Sequence, residues 1–234
     1  MNKLKTHFVS FSVALSVAFA IVVFTLSPAY AWTHAKNNWD TNHNDYYCGT
    51  SSSMPCLYWA QPSYTSINVY AYFDPSLNNA PGNYNFTVAI NRAFSDWNSQ
   101  QAWNPYLYSC STFACGSADY TMTLLPYGIW GETTWDYGTS LWNSAESFWY
   151  VPLYYVNVYF STAVTWNNSL QFSATTADGR TVSTHETGHL LGLGHTGHTP
   201  AIMHMGSATY YTVQTDDLYG LQNIYPGYYP GSTQ

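Results

Sequence analysis

The chain has 234 residues, of which 7% are charged and 19% are aromatic, and its formal net charge is −7. Its five lysine and arginine residues are too few for a surface that tracks nucleic-acid phosphates or attracts an anionic membrane. No nucleic-acid partner is therefore expected, and a chain of this length suits one domain after any leader is removed.

The N-terminus has the pattern of a secretion signal. Lys3 and Lys5 give a basic start, residues 8–26 are almost wholly apolar, and residues 29–31 (Ala-Tyr-Ala) form a small-x-small cleavage site. We expect residues 1–31 to be removed as a signal peptide, which leaves a secreted, extracellular protein without stable membrane association. The alternative is an uncleaved anchor, because the apolar run approaches the length of a membrane span.

Residues 32–62 are polar and are interrupted by asparagine, serine and proline, which predicts an N-terminal segment ahead of the folded domain. The chain has four cysteines, a number that fits an oxidising location and allows three pairings. Short sequence separations favour the pairs Cys48–Cys56 and Cys110–Cys115.

Three segments have the composition of β-strands, and one has the periodicity of a helix. The predicted strands cover residues 66–73, 119–125 and 154–164, which are rich in β-branched and aromatic residues. The predicted helix covers residues 86–100. Its apolar residues recur every three or four positions on one side: Phe86, Ile90, Ala93, Phe94 and Trp97.

Residues 185–195 match the pattern H-E-x-x-H-x-x-G-x-x-H in every specified position. Residues four apart lie on the same face of a helix, so His185 and His189 can bind one metal ion. Gly192 lets the chain leave the helix and bring His195 round as a third ligand. Three protein ligands leave one position of a tetrahedral ion open, which is typical of a catalytic zinc site.

Glu186 follows the first predicted ligand and is expected beside the metal rather than on it. A carboxylate there can take a proton from a water molecule that the metal activates, so Glu186 is the predicted general base. The helix that carries the motif is predicted to begin near Thr181. An alternative start is a capping box of Ser183 and Glu186, which would place His185 near the helix start.

The motif resembles that of the metzincin zinc peptidases, and most closely their matrixin branch. Thr196 follows the third histidine, and Met203 lies where a metzincin has its Met-turn. Residues 216–225 (Asp-Asp-Leu-Tyr-Gly-Leu-Gln-Asn-Ile-Tyr) resemble the last matrixin helix. The Met-turn is also similar to that of the astacin branch, but Met205 stands where astacins have a metal-reaching tyrosine.

This resemblance implies an α+β fold, in which a twisted mixed sheet with a backing helix and a zinc-motif helix stands above a small C-terminal subdomain. The catalytic domain would cover residues 63–226, with a flexible tail at 227–234. The resemblance further implies a monomeric endopeptidase that holds one catalytic Zn²⁺ ion and cleaves proteins or peptides. The residues after a matrixin Met-turn line the specificity pocket, and here they are Met205, Gly206 and Ser207.

Residues 128–153 depart from the matrixin pattern. Matrixins have a loop there that is rich in histidine, aspartate and glycine and binds a second zinc ion and calcium. This segment has no histidine, so we expect no structural zinc site. Glu132, Asp136 and Glu146 lack the clustered spacing of a calcium loop. A solvated loop is therefore the preferred interpretation, and the sequence does not support calcium binding.

Two other functions compete with the peptidase. The first is a secreted binding protein with a relic zinc site, whose aromatic surface contacts a polysaccharide or cell wall. The second is a zinc hydrolase that cuts an amide other than a peptide bond. The intact Glu186 favours an enzyme, because a relic site has no need of the base.

Overall fold

The structure is a computed structural model, and it describes residues 56–59, 67–100, 105–144, 148–197, 199–204 and 210–225. The predicted signal peptide, Cys48, Glu146, the pocket-wall candidates at 205–207 and the tail at 227–234 lie outside the described residues. The predicted domain boundaries and disulfide pairings accordingly stay predictions.

A seven-stranded mixed sheet organises the described residues. Its strands are β1 (Cys56–Tyr58), β2 (Asn68–Phe73), β3 (Tyr106–Cys110), β4 (Ala118–Thr123), β5 (Gly131–Tyr137), β6 (Leu141–Asn143) and β7 (Phe148–Ser161). Parallel pairs give the order β1-β7-β4-β2-β3, and β5 and β6 run antiparallel to β7. Two short strands, β8 (Thr165–Asn167) and β9 (Thr176–Asp178), form a separate parallel pair.

Three α-helices accompany the sheet in the described part of the chain: α1 (Phe86–Gln100), α2 (Gly179–Leu190) and α3 (Thr215–Ile224). The apolar side of α1 is buried against the sheet, where Phe86 stacks on Phe160 of β7 with 4.1 Å between ring centroids. The indole nitrogen of Trp97 donates to the Thr184 carbonyl of α2, at 2.9 Å, and so joins the two helices. No described helix is long and apolar enough to cross a membrane.

The predicted α+β fold is confirmed: a mixed sheet is backed by α1 and by the motif helix α2. The spacing of apolar residues predicted both ends of α1. The strands β2, β4 and β7 lie where strands were predicted, although β7 begins six residues before the predicted start at Tyr154.

The solvated loop predicted at residues 128–153 is wrong for the part that the structure describes. Instead, β5, β6 and the first half of β7 occupy this segment. Glu132 and Asp136 lie on β5, and almost the whole length of β5 pairs with the long strand β7. Thr133, Thr134, Trp135 and Tyr137 favour a strand by composition, but Glu132 and Asp136 interrupt the run, and the pairing with β7 is not visible in the local sequence.

One side chain occupies the outer edge of β3, which is the last strand of the sheet as far as the described residues show. The Asn98 side-chain nitrogen donates to the Leu107 carbonyl, and the Leu107 N–H donates to the Asn98 side-chain oxygen, both at 2.9 Å. A side-chain amide from α1 thus bonds both backbone groups of the second residue of this strand.

Candidate metal centre

The motif helix α2 begins at an aspartate cap. Oδ1 of Asp178 accepts the Thr181 N–H at 2.8 Å, and the helix starts at Gly179, two residues before the predicted start. The alternative capping box is wrong, because Ser183 lies inside the helix. An N-cap aspartate satisfies an amide that has no carbonyl partner within the helix.

The helix ends at Leu190, and the chain turns at Gly192 as predicted. Gly192 has a φ of 93°, and a Cβ added there would lie 2.5 Å from the Leu57 carbonyl oxygen of β1. Both the backbone angle and the close approach of β1 require glycine. The turn directs the following residues back toward the helix face that carries His185 and His189.

The three motif histidines meet beside α2. Nε2 of His195 lies 2.9 Å from Nε2 of His185 and 3.1 Å from Nε2 of His189. Among the described residues, this is the one group of three or more potential ligands whose donor atoms lie within 4.8 Å of one another. The spacing of residues in the motif is therefore matched by the positions of the ring nitrogens.

Backbone carbonyls orient two of the three rings. Nδ1 of His185 lies 2.7 Å from the Ile202 carbonyl oxygen, and Nδ1 of His189 lies 2.8 Å from the Leu193 carbonyl oxygen. A carbonyl only accepts, so each Nδ1 carries the hydrogen and each Nε2 presents its lone pair to the centre. A carbonyl partner on the other ring nitrogen is the usual arrangement for a metal-binding histidine.

The electrostatic environment keeps the histidines neutral. Burial lowers the pKa of His185 to about 4, and burial together with the neighbouring His185 lowers the pKa of His189 to about 3. The pKa of His195 is also lowered, by burial and then by the other two rings. Neutral imidazoles with converging lone pairs are the donor set that zinc binds, so the residues present fit this ion.

Glu186 is buried beside this cluster and contacts β5. Its Oε2 accepts a hydrogen bond from the Thr133 hydroxyl at 2.6 Å, and a Cβ added at Gly131 would lie 2.6 Å from its Oε1. Burial raises the pKa of Glu186 to about 8, although the bond from Thr133 opposes this rise. A cation held by the histidines would favour the carboxylate and lower that pKa.

The predicted Met-turn packs beneath the cluster. Ala201, Ile202 and Met203 are buried, and a Cβ added at Gly188 of α2 would meet the sulfur of Met203. The chain folds this way because Asp217 of α3 accepts the N–H groups of Ile202, at 2.9 Å, and Met203, at 3.0 Å. Asp217 therefore positions the carbonyl that orients His185.

Three aromatic side chains bond the carbonyls at the end of α2. The indole nitrogen of Trp135 donates to the His189 carbonyl at 3.0 Å, and that of Trp59 donates to the Leu190 carbonyl at 2.7 Å. The Tyr225 hydroxyl donates to the Leu191 carbonyl at 3.1 Å. These carbonyls have no N–H partner four residues on in the helix. The contacts fix the part of α2 that carries the second predicted ligand.

Sequence reasoning missed Thr133, Trp135 and the role of Asp217. Gly131, Thr133 and Trp135 alternate along β5 and face α2, so the period-two spacing was the available signal. The signal was weak because the three residues share neither charge nor hydrophobicity. The pocket-wall candidates lie outside the described residues and stay predictions.

Comparison with sequence models of protein families gives a match. The sequence model of the family described as matrixin matches residues 72–226, which is well over half of the chain and includes α1, β5 and the histidine cluster. A search of curated proteins finds no significant match.

Proposed function

Since the chain belongs to the matrixin family, we propose that it is a secreted zinc-dependent endopeptidase with Glu186 as the general base. The observation that carries the proposal is the geometry of the centre. Nε2 of His195 lies 2.9 Å and 3.1 Å from Nε2 of His185 and His189, and the buried carboxylate of Glu186 lies on α2 directly after His185.

The mechanism assigns binding and proton transfer to different residues. His185, His189 and His195 would hold the ion through Nε2. When bound, zinc supplies positive charge that acidifies a water molecule and polarises a carbonyl group. Glu186 accepts a proton from the attacking water, whose oxygen adds to the scissile carbonyl carbon. Glu186 then delivers this proton to the amide nitrogen as the C–N bond breaks, which yields a carboxylic acid and an amine.

The open edge of β5 supports a peptide substrate over another amide. In the part of the chain that the structure describes, β5 pairs with β7 alone. An extended peptide can add to such an edge through backbone hydrogen bonds. A peptide bound there would run past Thr133 and Gly131, the two residues of β5 that contact Glu186.

Secretion is supported by the N-terminal pattern of Lys3 and Lys5, the apolar run and the Ala-Tyr-Ala site. Cleavage after Ala31 would begin the mature protein at Trp32. N-terminal sequencing of protein from the culture medium checks this. A chain retained in the membrane with its N-terminus intact would contradict it.

The test of the function is the cleavage of unfolded casein by purified protein, with zinc, with a chelator and with Glu186→Gln. We expect chelator-sensitive cleavage in the wild type. Glu186→Gln should lower the rate by a factor of about 10² to 10⁴ while zinc still binds. His189→Ala should lose zinc as well as activity, because one of three ligands is gone.

Two outcomes would contradict the proposal. Cleavage by the Glu186→Gln protein at the wild-type rate would show that Glu186 is not the general base. Stoichiometric zinc binding without cleavage of any peptide, together with retention on an insoluble glycan, would favour the binding protein with a relic site.

A further inference from the structure

The contact between β5 and the general base is short and enclosed. The Thr133 hydroxyl lies 2.6 Å from Oε2 of Glu186, and the two residues are 8% and 5% exposed. The same hydroxyl lies 3.4 Å from the backbone carbonyl oxygen of Glu186, which is the longer contact by 0.8 Å. An ionised carboxylate only accepts hydrogen bonds, so the hydroxyl donates to Oε2.

Gly131 encloses the other side of the same carboxylate. A Cβ at this position would lie 2.6 Å from Oε1, 2.8 Å from Cγ and 2.9 Å from Cδ of Glu186. Distances this short mean that the strand backbone lies against the glutamate side chain with no room for a methyl group. One oxygen is therefore bonded by Thr133, and the other lies over the bare backbone of Gly131.

We propose that Thr133 is a positioning residue for peptide hydrolysis, whose hydroxyl holds Oε2 of Glu186 so that Oε1 is the oxygen that receives the proton. The inference rests on the proposed peptidase function. Glutamate has three rotatable side-chain bonds, and a free carboxylate would sample several orientations. A misplacement of about 1 Å at a reacting group can cost a factor of roughly 10² in rate.

Threonine suits this task because of its place in a strand. Its branched Cβ restricts χ1, so the hydroxyl direction is fixed by the backbone of β5. Serine keeps the hydroxyl with more rotational freedom, and valine keeps the shape without the hydroxyl. The two substitutions thus separate hydrogen bonding from packing.

The experiment compares Thr133→Val and Thr133→Ser with Thr134→Val, a matched control one residue along, on the opposite face of β5. Steady-state cleavage of a peptide from casein gives kcat and KM, and metal analysis gives the zinc content. We expect Thr133→Val to lower kcat by about 10- to 100-fold, with KM and zinc content unchanged. Thr133→Ser should recover most of the loss, and Thr134→Val should match the wild type.

Two results would overturn the proposal. A zinc-loaded Thr133→Val protein with wild-type kcat would show that the hydroxyl does not position the base. A Thr133→Ser protein as slow as Thr133→Val would show that a hydroxyl at this position does not restore the rate, which contradicts its role in holding Glu186. If Thr133→Val fails to fold, Gly131→Ala provides the second test, because its methyl group must displace the carboxylate. Gly131→Ala should lower kcat at full zinc content, and wild-type kcat would contradict the proposal.

A further measurement is independent of activity. Unfolding free energies of Thr133→Val, Glu186→Ala and the double variant form a cycle that reports the hydrogen bond between the two side chains. We expect non-additive effects in this cycle and additive effects in the matched cycle with Thr134→Val. If no peptide is cleaved but the first cycle is non-additive, the proposed function fails while the contact stands. If peptides are cleaved and the first cycle is additive, the positioning proposal fails alone.

Discussion

The helices α1 and α2 pack side by side but are held in different ways. The buried side of α1 is apolar, with Phe86, Ile90 and Trp97 fully buried, while its other side is exposed. Helix α2 is buried on nearly every side although most of its buried residues are polar: Thr181, Ser183, Thr184, Glu186, Thr187 and His189. Apolar contact supports the first helix, and directed hydrogen bonds support much of the second.

The difference shows how a metal centre can be built inside a small domain. Buried polar groups destabilise a fold unless each finds a partner. In α2, the hydroxyls of Thr184 and Thr187 donate to the carbonyls of Arg180 and Ser183, four residues back, and aromatic donors bond the terminal carbonyls. The buried hydroxyls of Thr181 and Ser183 have no hydrogen-bond partner among the described residues. The apolar side of helix α1 helps to exclude water from these polar contacts.

The largest effect is expected from α1. Phe86→Ala removes a ring that stacks on Phe160 and meets Trp166 edge-on, with 4.7 Å between ring centroids. The lost transfer energy and the cavity should lower the free energy of unfolding by about 3 to 5 kcal/mol. Urea unfolding followed by circular dichroism checks this value.

Val88→Ala is the control for that measurement, because Val88 is 47% exposed on the same helix. It should change the free energy of unfolding by no more than about 0.5 kcal/mol. Equal effects of Phe86→Ala and Val88→Ala would mean that α1 is not held by its apolar side.

An intermediate effect on the free energy of unfolding is expected when metal-free protein is acidified, because α2 carries two of the buried histidines. The pKa values of His185 and His189 are lowered from 6.5 to about 4 and about 3. Between pH 6.5 and the lowered pKa values, these histidines bind protons in the unfolded chain but not in the folded chain. The free energy of unfolding therefore falls as the pH falls below 6.5. The raised pKa of Glu186, about 8, has the opposite effect, because its carboxyl binds a proton more readily in the folded state.

The variant Glu186→Gln removes the opposing group and leaves the histidines. Metal-free Glu186→Gln protein should therefore lose stability as the pH falls from 6.5 to 4, and should lose more than the metal-free wild type. Thermal unfolding at a series of pH values measures both proteins. A flat profile for the variant would contradict the buried, neutral state of the histidines.

The smallest effect is expected where a single hydroxyl bonds the end of α2. Tyr225→Phe removes the donor to the Leu191 carbonyl and should cost about 1 kcal/mol. The control is Tyr70→Phe on β2, whose side chain is 41% exposed, and it should have almost no effect on urea unfolding. A cost for Tyr225→Phe as small as that of the control would mean that solvent replaces this bond.

The sequence predicted features that depend on spacing along the chain. The bounds of α1 followed from apolar residues at three- and four-residue intervals. The turn at Gly192 followed from its place between the second and third histidines, and the structure brings the three rings together as that spacing implies.

Features that depend on distant partners could not be predicted in this way. The local sequence of β5 does not show its pairing with β7, because charged residues interrupt a short run of threonine and aromatic residues. Thr133 has no visible role until Glu186, 53 residues on, comes within 2.6 Å of it. Asp217 fitted the helix pattern, but its bonds to Ile202 and Met203 depend on the packing of α3 against the Met-turn. These contacts arise from tertiary structure rather than from local sequence.

The hydrogen bonds between Asn98 and Leu107 protect the edge of the sheet at β3 from pairing with another chain. A sheet that ends in an exposed strand offers free N–H and carbonyl groups on which another chain can add, and fibrils grow by this route. Because one amide already bonds both backbone groups of Leu107, near the start of β3, an incoming strand would have to displace it before pairing could extend along the edge. A helix side chain therefore takes the place of a neighbouring strand at this one residue, at an edge where the described residues supply no strand.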